Sequence, residues 1–168
     1  MKETATPTKL VEVYFPSAVI RGSLVTRHDR LSNHLNLRSE DDVASLVEAS
    51  VRDLSGNPLQ VGSGDFTIYT SEMLLVVDLM PTTVTERSAW DHAQVKKEPR
   101  AVLLGIGPFW LRGTAHLMPG AQLSNWALVK QNFIPVTDAT VLNQPEREPC
   151  TILVNRVKIS WLVGDHPE

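Results

Sequence analysis

The chain has 168 residues, 42% of them hydrophobic and 21% charged, which is the composition of a soluble globular protein with room for one ordinary domain or two very small ones. Sixteen basic against nineteen acidic residues give a net charge of −3, which argues against an extended nucleic-acid-binding surface. The single Cys150 excludes an internal disulfide, Met1 to Lys9 lacks the apolar core of a signal peptide, and no apolar run approaches the roughly 20 residues needed to cross a bilayer, so a cytoplasmic protein with no membrane partner is expected.

Residues 1–8 read as a frayed tail. Val11, Val13 and Phe15 alternate with Glu12 and Tyr14, which predicts a first strand. Pro16-Ser17 breaks it, and Val19 to Thr26 forms a second β-rich run with Gly22 inside. A polar segment from His28 to Glu40 has room for a single helical turn started by Asp29, too short to be stable alone. Val43 to Leu54 reads as a long third strand, closed by a turn at Ser55-Gly56-Asn57-Pro58. Phe66 to Leu79 reads as two short strands split at Thr70-Ser71-Glu72.

The same series then recurs. Ile20-Arg21-Gly22-Ser23-Leu24 returns as Leu111-Arg112-Gly113-Thr114-Ala115, Leu31-Ser32-Asn33 as Leu123-Ser124-Asn125, and Glu48-Ala49-Ser50-Val51 as Asp138-Ala139-Thr140-Val141. The order is kept and the offsets are 91, 92 and 90 residues, a drift that small loop insertions produce. Val102 to Ile106, Phe109 to Leu117 and Phe133 to Leu142 supply the first three strands of the second copy, with Ser124 starting the helical turn. Cys150 to Val163 supplies the last two, with Val157, Ile159 and Trp161 aligned on Met73, Leu75 and Val77 at an offset of 84 residues. The expected fold is therefore all-β: a first small barrel over residues 9–80, a linker over 81–99, and a second small barrel over 100–164. In the linker, Thr83 and Glu86 have capping-box spacing, and Trp90, Ala93 and Val95 suit a short helix; an irregular solvated segment is the alternative. Modules of this size bury only about 60% of their unfolded surface, so packing of the copies or oligomerisation is expected to support them.

Arg21-Gly22-Ser23-Leu24 resembles the bent second strand of the Sm-like small barrels, including the bacterial Hfq type, and Leu35-Asn36-Leu37 is similar to the end of that family's first motif. Ile152-Leu153-Val154-Asn155-Arg156-Val157-Lys158-Ile159 resembles its second motif, where a polar dipeptide turns between strands four and five. Arg30-Leu31-Ser32-Asn33 and Leu153-Val154-Asn155-Arg156 also resemble an uncharacterised bacterial domain family, a likeness that supplies no activity. The Sm-like resemblance implies two tandem five-stranded barrels and RNA binding by loop residues of both motifs. Copy one, however, has Ser71-Glu72 where a basic residue is wanted, and copy two has Trp126-Ala127-Leu128 near the place of the asparagine motif. Neither copy carries the full pair.

The candidate binding residues follow from side-chain chemistry. Arg21 and Arg112, beside the strand glycines, offer a rigid fork to an anion or phosphate; the alternative is a solvent-facing arginine paired with an acid. Asn33, Asn125, Asn36 and Asn155 offer amides to a base edge or to local backbone. Asn155-Arg156 is the strongest pair, with a tight turn as its alternative. Trp110 and Trp126 are candidate interface anchors, or with Phe109 a platform for stacked bases. His28, His34, His92, His116 and His166 show no metal spacing, and nothing marks a catalytic nucleophile. The expected function is non-enzymatic, with no cofactor and no metal: a binding or assembly protein acting through strand-edge association with itself or another protein. The alternative is RNA or nucleotide binding through Arg21, Asn36, Arg112, Asn155 and Arg156.

Overall fold

A computed structural model describes residues 7–28, 30–37, 42–61, 64–81, 96–126 and 128–165. The first half of the chain holds β1 (Thr8–Tyr14), β2 (Ala18–Val25), α1 (Leu31–Asn36), β3 (Val43–Asp53), β4 (Pro58–Leu59), β5 (Phe66–Tyr69), a 3-10 turn (Thr70–Glu72) and β6 (Leu75–Asp78). The second holds β7 (Glu98–Ile106), β8 (Phe109–Leu117), α2 (Leu123–Trp126), β9 (Phe133–Val141), β10 (Cys150–Asn155), a 3-10 turn (Arg156–Lys158) and β11 (Ile159–Gly164). The chain is all-β in class, with two short helices among the described residues. The expected helix at Trp90, Ala93 and Val95 and the capping pair Thr83 and Glu86 lie outside the described residues, as does Asp29; Arg30 takes the N-cap place of α1. The second half begins two residues before the boundary expected from the sequence, because Glu98 and Pro99 already pair with Leu117 and His116.

All strands join one antiparallel sheet in the order β11-β7-β8-β9-β10-β6-β1-β2-β3-β4, with β5 also on β3. Apart from β4, which has no counterpart in the second half, each half lays its strands down in the same sequence, and the pairs of the shared ladders correspond. Tyr14 faces Val19 and Leu75; Gly105 faces Trp110 and Trp161. Arg21 faces Ser50 and Ser23 faces Val47; Arg112 faces Thr140 and Thr114 faces Thr137. Ala44 faces Ile68; Ile134 faces Val154. The two 3-10 turns correspond at an offset of 86 residues, not 84, so Met73 matches Ile159 and Leu75 matches Trp161. Side chains alternate with a period of two along a strand, so a slip of two leaves every side chain on its own face. The hydrophobic pattern therefore carries no signal that separates the two registers.

The recurring motifs have a common mechanical cause. The register of β2 on β3 shifts between Arg21 and Ser23, and that of β8 on β9 between Arg112 and Thr114. Opposite each shift stands a left-handed residue, Glu48 at φ 52° and Asp138 at φ 49°. Such a bulge pushes the following residue toward the neighbouring strand. A Cβ on Gly22 would lie 2.9 Å from Ala49 Cβ, and one on Gly113 would lie 3.0 Å from Ala139 Cα. Only glycine fits across from the bulge. The Arg-Gly and acid-Ala motifs are thus the two sides of one interlock, built once in each half.

The sheet separates two apolar cores. One gathers Val11, Val13, Leu24, Leu31, Leu35, Leu46 and Ile68 of the first half, together with Phe133 and Leu153. The other gathers Val102, Leu104, Phe109, Leu111, Val136 and Ile152 of the second half, together with Tyr14, Val19, Leu75 and Val77. Alternation sets Glu12 and Tyr14 on the side of β1 opposite Val11 and Val13, and both are buried, at 4% exposure each, because the second half covers that face. Trp126 is a correction of a different kind: it is 6% exposed and belongs to the second core, so it is packing and not a surface anchor.

Candidate functional site

The junction between the halves is the pairing of β10 with β6, where Ile152 faces Val77, Leu153 faces Val76 and Val154 faces Leu75. All six side chains are buried. A fully buried Val, Leu or Ile contributes about 1.5–3 kcal/mol relative to an exposed one, so this seam is a major source of stability.

Two of the four asparagines expected to contact a base, Asn36 and Asn155, instead bind backbone across the two halves. Asn36, at the end of α1, accepts a hydrogen bond from the Phe133 N–H at 2.8 Å and donates to the Phe133 carbonyl at 2.9 Å. Phe133 is paired with Asn155 across β9 and β10, and Asn155 donates from Nδ2 to the Met73 carbonyl at 2.8 Å. Asn155 is 2% exposed, with Oδ1 buried and unpartnered. Asn36→Ala is expected to destabilise the protein by about 2 kcal/mol, because it strands two backbone groups of a fully buried residue. The urea midpoint measures this, and Asn36→Asp should recover part of the loss through the N–H of Phe133.

The arginines are placed differently. Arg156 donates from Nε to the Gln131 carbonyl at 3.0 Å, and its backbone N–H reaches the Asn132 carbonyl at 2.7 Å. Arg112 is ion-paired with Asp165 at 2.7 Å on the outer face of β8. Arg21 is exposed on β2 and has no ion pair among the described residues. Asn33 and Asn125 occupy corresponding exposed positions in α1 and α2. The amides of Asn36 and Asn155 are held by backbone of the opposite half, at Phe133 and Met73.

One polar cluster has no counterpart in the sequence reasoning. Glu12 Oε1 accepts from the Tyr14 hydroxyl at 2.6 Å and from Arg147 NH2 at 2.8 Å, with Arg52 NH2 at 3.5 Å. Arg52 lies 6.0 Å from the centre of the Tyr14 ring, and Tyr14 meets Phe109 edge-on at 5.2 Å. Burial, then the hydrogen bond to Glu12, drives the Tyr14 phenol well above its ordinary range. Burial also raises the Cys150 thiol above its ordinary range. His34 shifts downward through burial and the neighbouring His28, whose ring is 5.9 Å away. Among the described residues no three His, Cys, Asp or Glu side chains converge as metal ligands, and no helix is long and apolar enough to cross a membrane. The cluster is an ion-paired lock between halves. No sequence signal marks it, since Glu12 and Arg147 are 135 positions apart.

The two ends of the sheet carry free strands. Among the described residues β11 pairs only with β7, and β5 only with β3. Asp165 donates its N–H to the Ala101 carbonyl on β7 at 2.9 Å. Alternation then turns the N–H of Val163 and Trp161 toward β7 and that of Leu162 toward the open edge. Beside this edge lies an apolar face: Trp110 is 55% exposed, Trp161 42% and Val163 50%. The two indoles meet at 6.2 Å, and Trp161 lies against Gly105 where a Cβ would stand. Trp110 is an interface anchor expected from the sequence; Trp161, its partner in this face, is not among those expected. Open edges next to apolar surface are what natural sheets ordinarily cover or charge. No family model matches this chain, and no curated protein or solved structure matches it.

Proposed function

We propose that the chain is a non-enzymatic cytoplasmic assembly protein, built as two tandem Sm-like five-stranded barrels, that acts through protein–protein association along its strand edges. The observation that supports this reading is the seam of β10 and β6, where the two halves of the chain join by edge pairing. Among the described residues the same two kinds of edge have no further strand partner, one of them beside exposed tryptophans. Backbone pairing supplies affinity in such contacts, and the alternate side chains supply selectivity.

The test is a retention experiment with the tagged full chain expressed among cellular proteins. The chain should hold a protein partner, a second copy or another polypeptide. Leu162→Pro removes the outward donor of β11 and should release it, while Leu162→Ala, which only shortens the side chain, should keep it. Equal retention by the two variants, or no retained partner, would overturn the reading.

A further inference from the structure

We infer that the partner of the β11 edge is the β5 edge of a second copy of this chain, joined head to tail in the register of the internal seam. The inference rests on the edge-association reading and names its occupant. It follows from comparing corresponding surfaces of the two halves. In the first half, Leu75, Tyr14 and Val19 form a row across β6, β1 and β2. That row is buried in the core of the second half. In the second half, the corresponding row across β11, β7 and β8 is Trp161, Gly105 and Trp110. It is the exposed face. Val163, half exposed, corresponds to Val77, which is 1% exposed. One half thus presents, uncovered, the surface that the other half has covered by a neighbouring unit.

The other end of the sheet matches this surface in pairing, size and charge. The seam pairs Ile152 with Val77, Leu153 with Val76 and Val154 with Leu75. Carried to the free ends, these become Phe66 with Val163, Thr67 with Leu162 and Ile68 with Trp161. In the seam the row of Leu75, Tyr14 and Val19 packs into a core containing Phe109 and Ile134. The corresponding places in the first half hold Ala18 and Ala44. Small residues there leave room for two tryptophans where the internal seam takes a leucine and a valine. Charge is also compatible. Lys158 stands 4.0 Å from Glu72 across the internal seam. A second copy would bring Glu72 of one chain against Lys158 of the next, again opposite in sign. A contact between unlike surfaces is heterologous, and its repetition closes a ring or runs on as a filament.

The test uses the purified full chain and single cysteines in a Cys150→Ser background. Phe66→Cys and Val163→Cys chains are oxidised separately and as a mixture. The wild-type chain alone should have a solution mass of at least two chains of 18.6 kDa. A disulfide should form in the mixture and not in either variant alone, since neither can join its own kind head to tail. A mixture of Tyr69→Cys with Val163→Cys, out of register, should not cross-link. Trp110→Glu should reduce the mass to one chain while the circular dichroism spectrum is kept. A monomeric wild-type chain, or a disulfide between two Val163→Cys chains, would overturn the inference. If the wild-type chain is monomeric and yet holds a different protein that Leu162→Pro releases, the second copy is wrong and the edge-association reading stands. If it holds nothing, both fall.

Discussion

Gly113→Val is expected to destabilise the protein by about 3 kcal/mol, the upper end of the ordinary range for overpacking a filled site. A Cβ at this position would lie 2.6 Å from Val136 Cγ1, 2.9 Å from the Thr137 carbonyl oxygen and 3.0 Å from Ala139 Cα. Two of the three are backbone atoms held by the bulge at Asp138, so no change of rotamer relieves the clash. Valine adds two further carbons to a site that cannot take one. Gly22→Val should cost less, because the nearest backbone atoms there stand at 3.1 and 3.2 Å. Urea denaturation of both variants measures the difference. A Gly113→Val midpoint equal to that of the wild type would show that β8 and β9 separate freely at the bulge, and the interlock would then not be a source of rigidity.

Removing the carboxylate of Glu12 is the second large effect. Glu12→Ala leaves the Tyr14 hydroxyl without its acceptor and Arg147 and Arg52 without the anion between them. Breaking a buried ion pair by deleting one member costs about 3–5 kcal/mol. Arg147 is one-third exposed and Arg52 a quarter, and water reaching them reduces the penalty. A loss of about 3 kcal/mol is therefore expected, with Glu12→Gln losing less because an acceptor remains for the phenol. The double variant Glu12→Ala with Arg147→Ala should be less destabilised than the sum of the two single changes, since they remove one shared interaction. Strict additivity would mean that Glu12 acts through packing alone.

The elements themselves were legible wherever a local rule produces them. The long strands β3 and β9 lie within a residue of their expected ends, because β-branched runs bounded by Gly, Asn and Pro turns are a local signal. The correspondence of Gly22 with Gly113 and of Glu48-Ala49 with Asp138-Ala139 was visible before its cause, a bulge pressed against a glycine, was known. The short helices after β2 and β8 were equally readable as single turns.

What covers each face was decided only by the tertiary structure. Period-two alternation reports which residues share a side of a strand and says nothing about what packs on that side. Glu12 and Tyr14 share one face of β1, and the second half of the chain lies against it and forces the carboxylate to find arginines 40 and 135 positions away. Trp110 and Trp126 are alike in sequence, but one falls on the uncovered outer face of β8 and the other in the core. Asn36 and Asn155 resemble ligand-binding loop residues, yet each amide binds backbone of the opposite half, Asn36 at Phe133 and Asn155 at Met73. The local sequence determined where the strands and bulges form; the edges that meet determined which polar groups are left to face a partner.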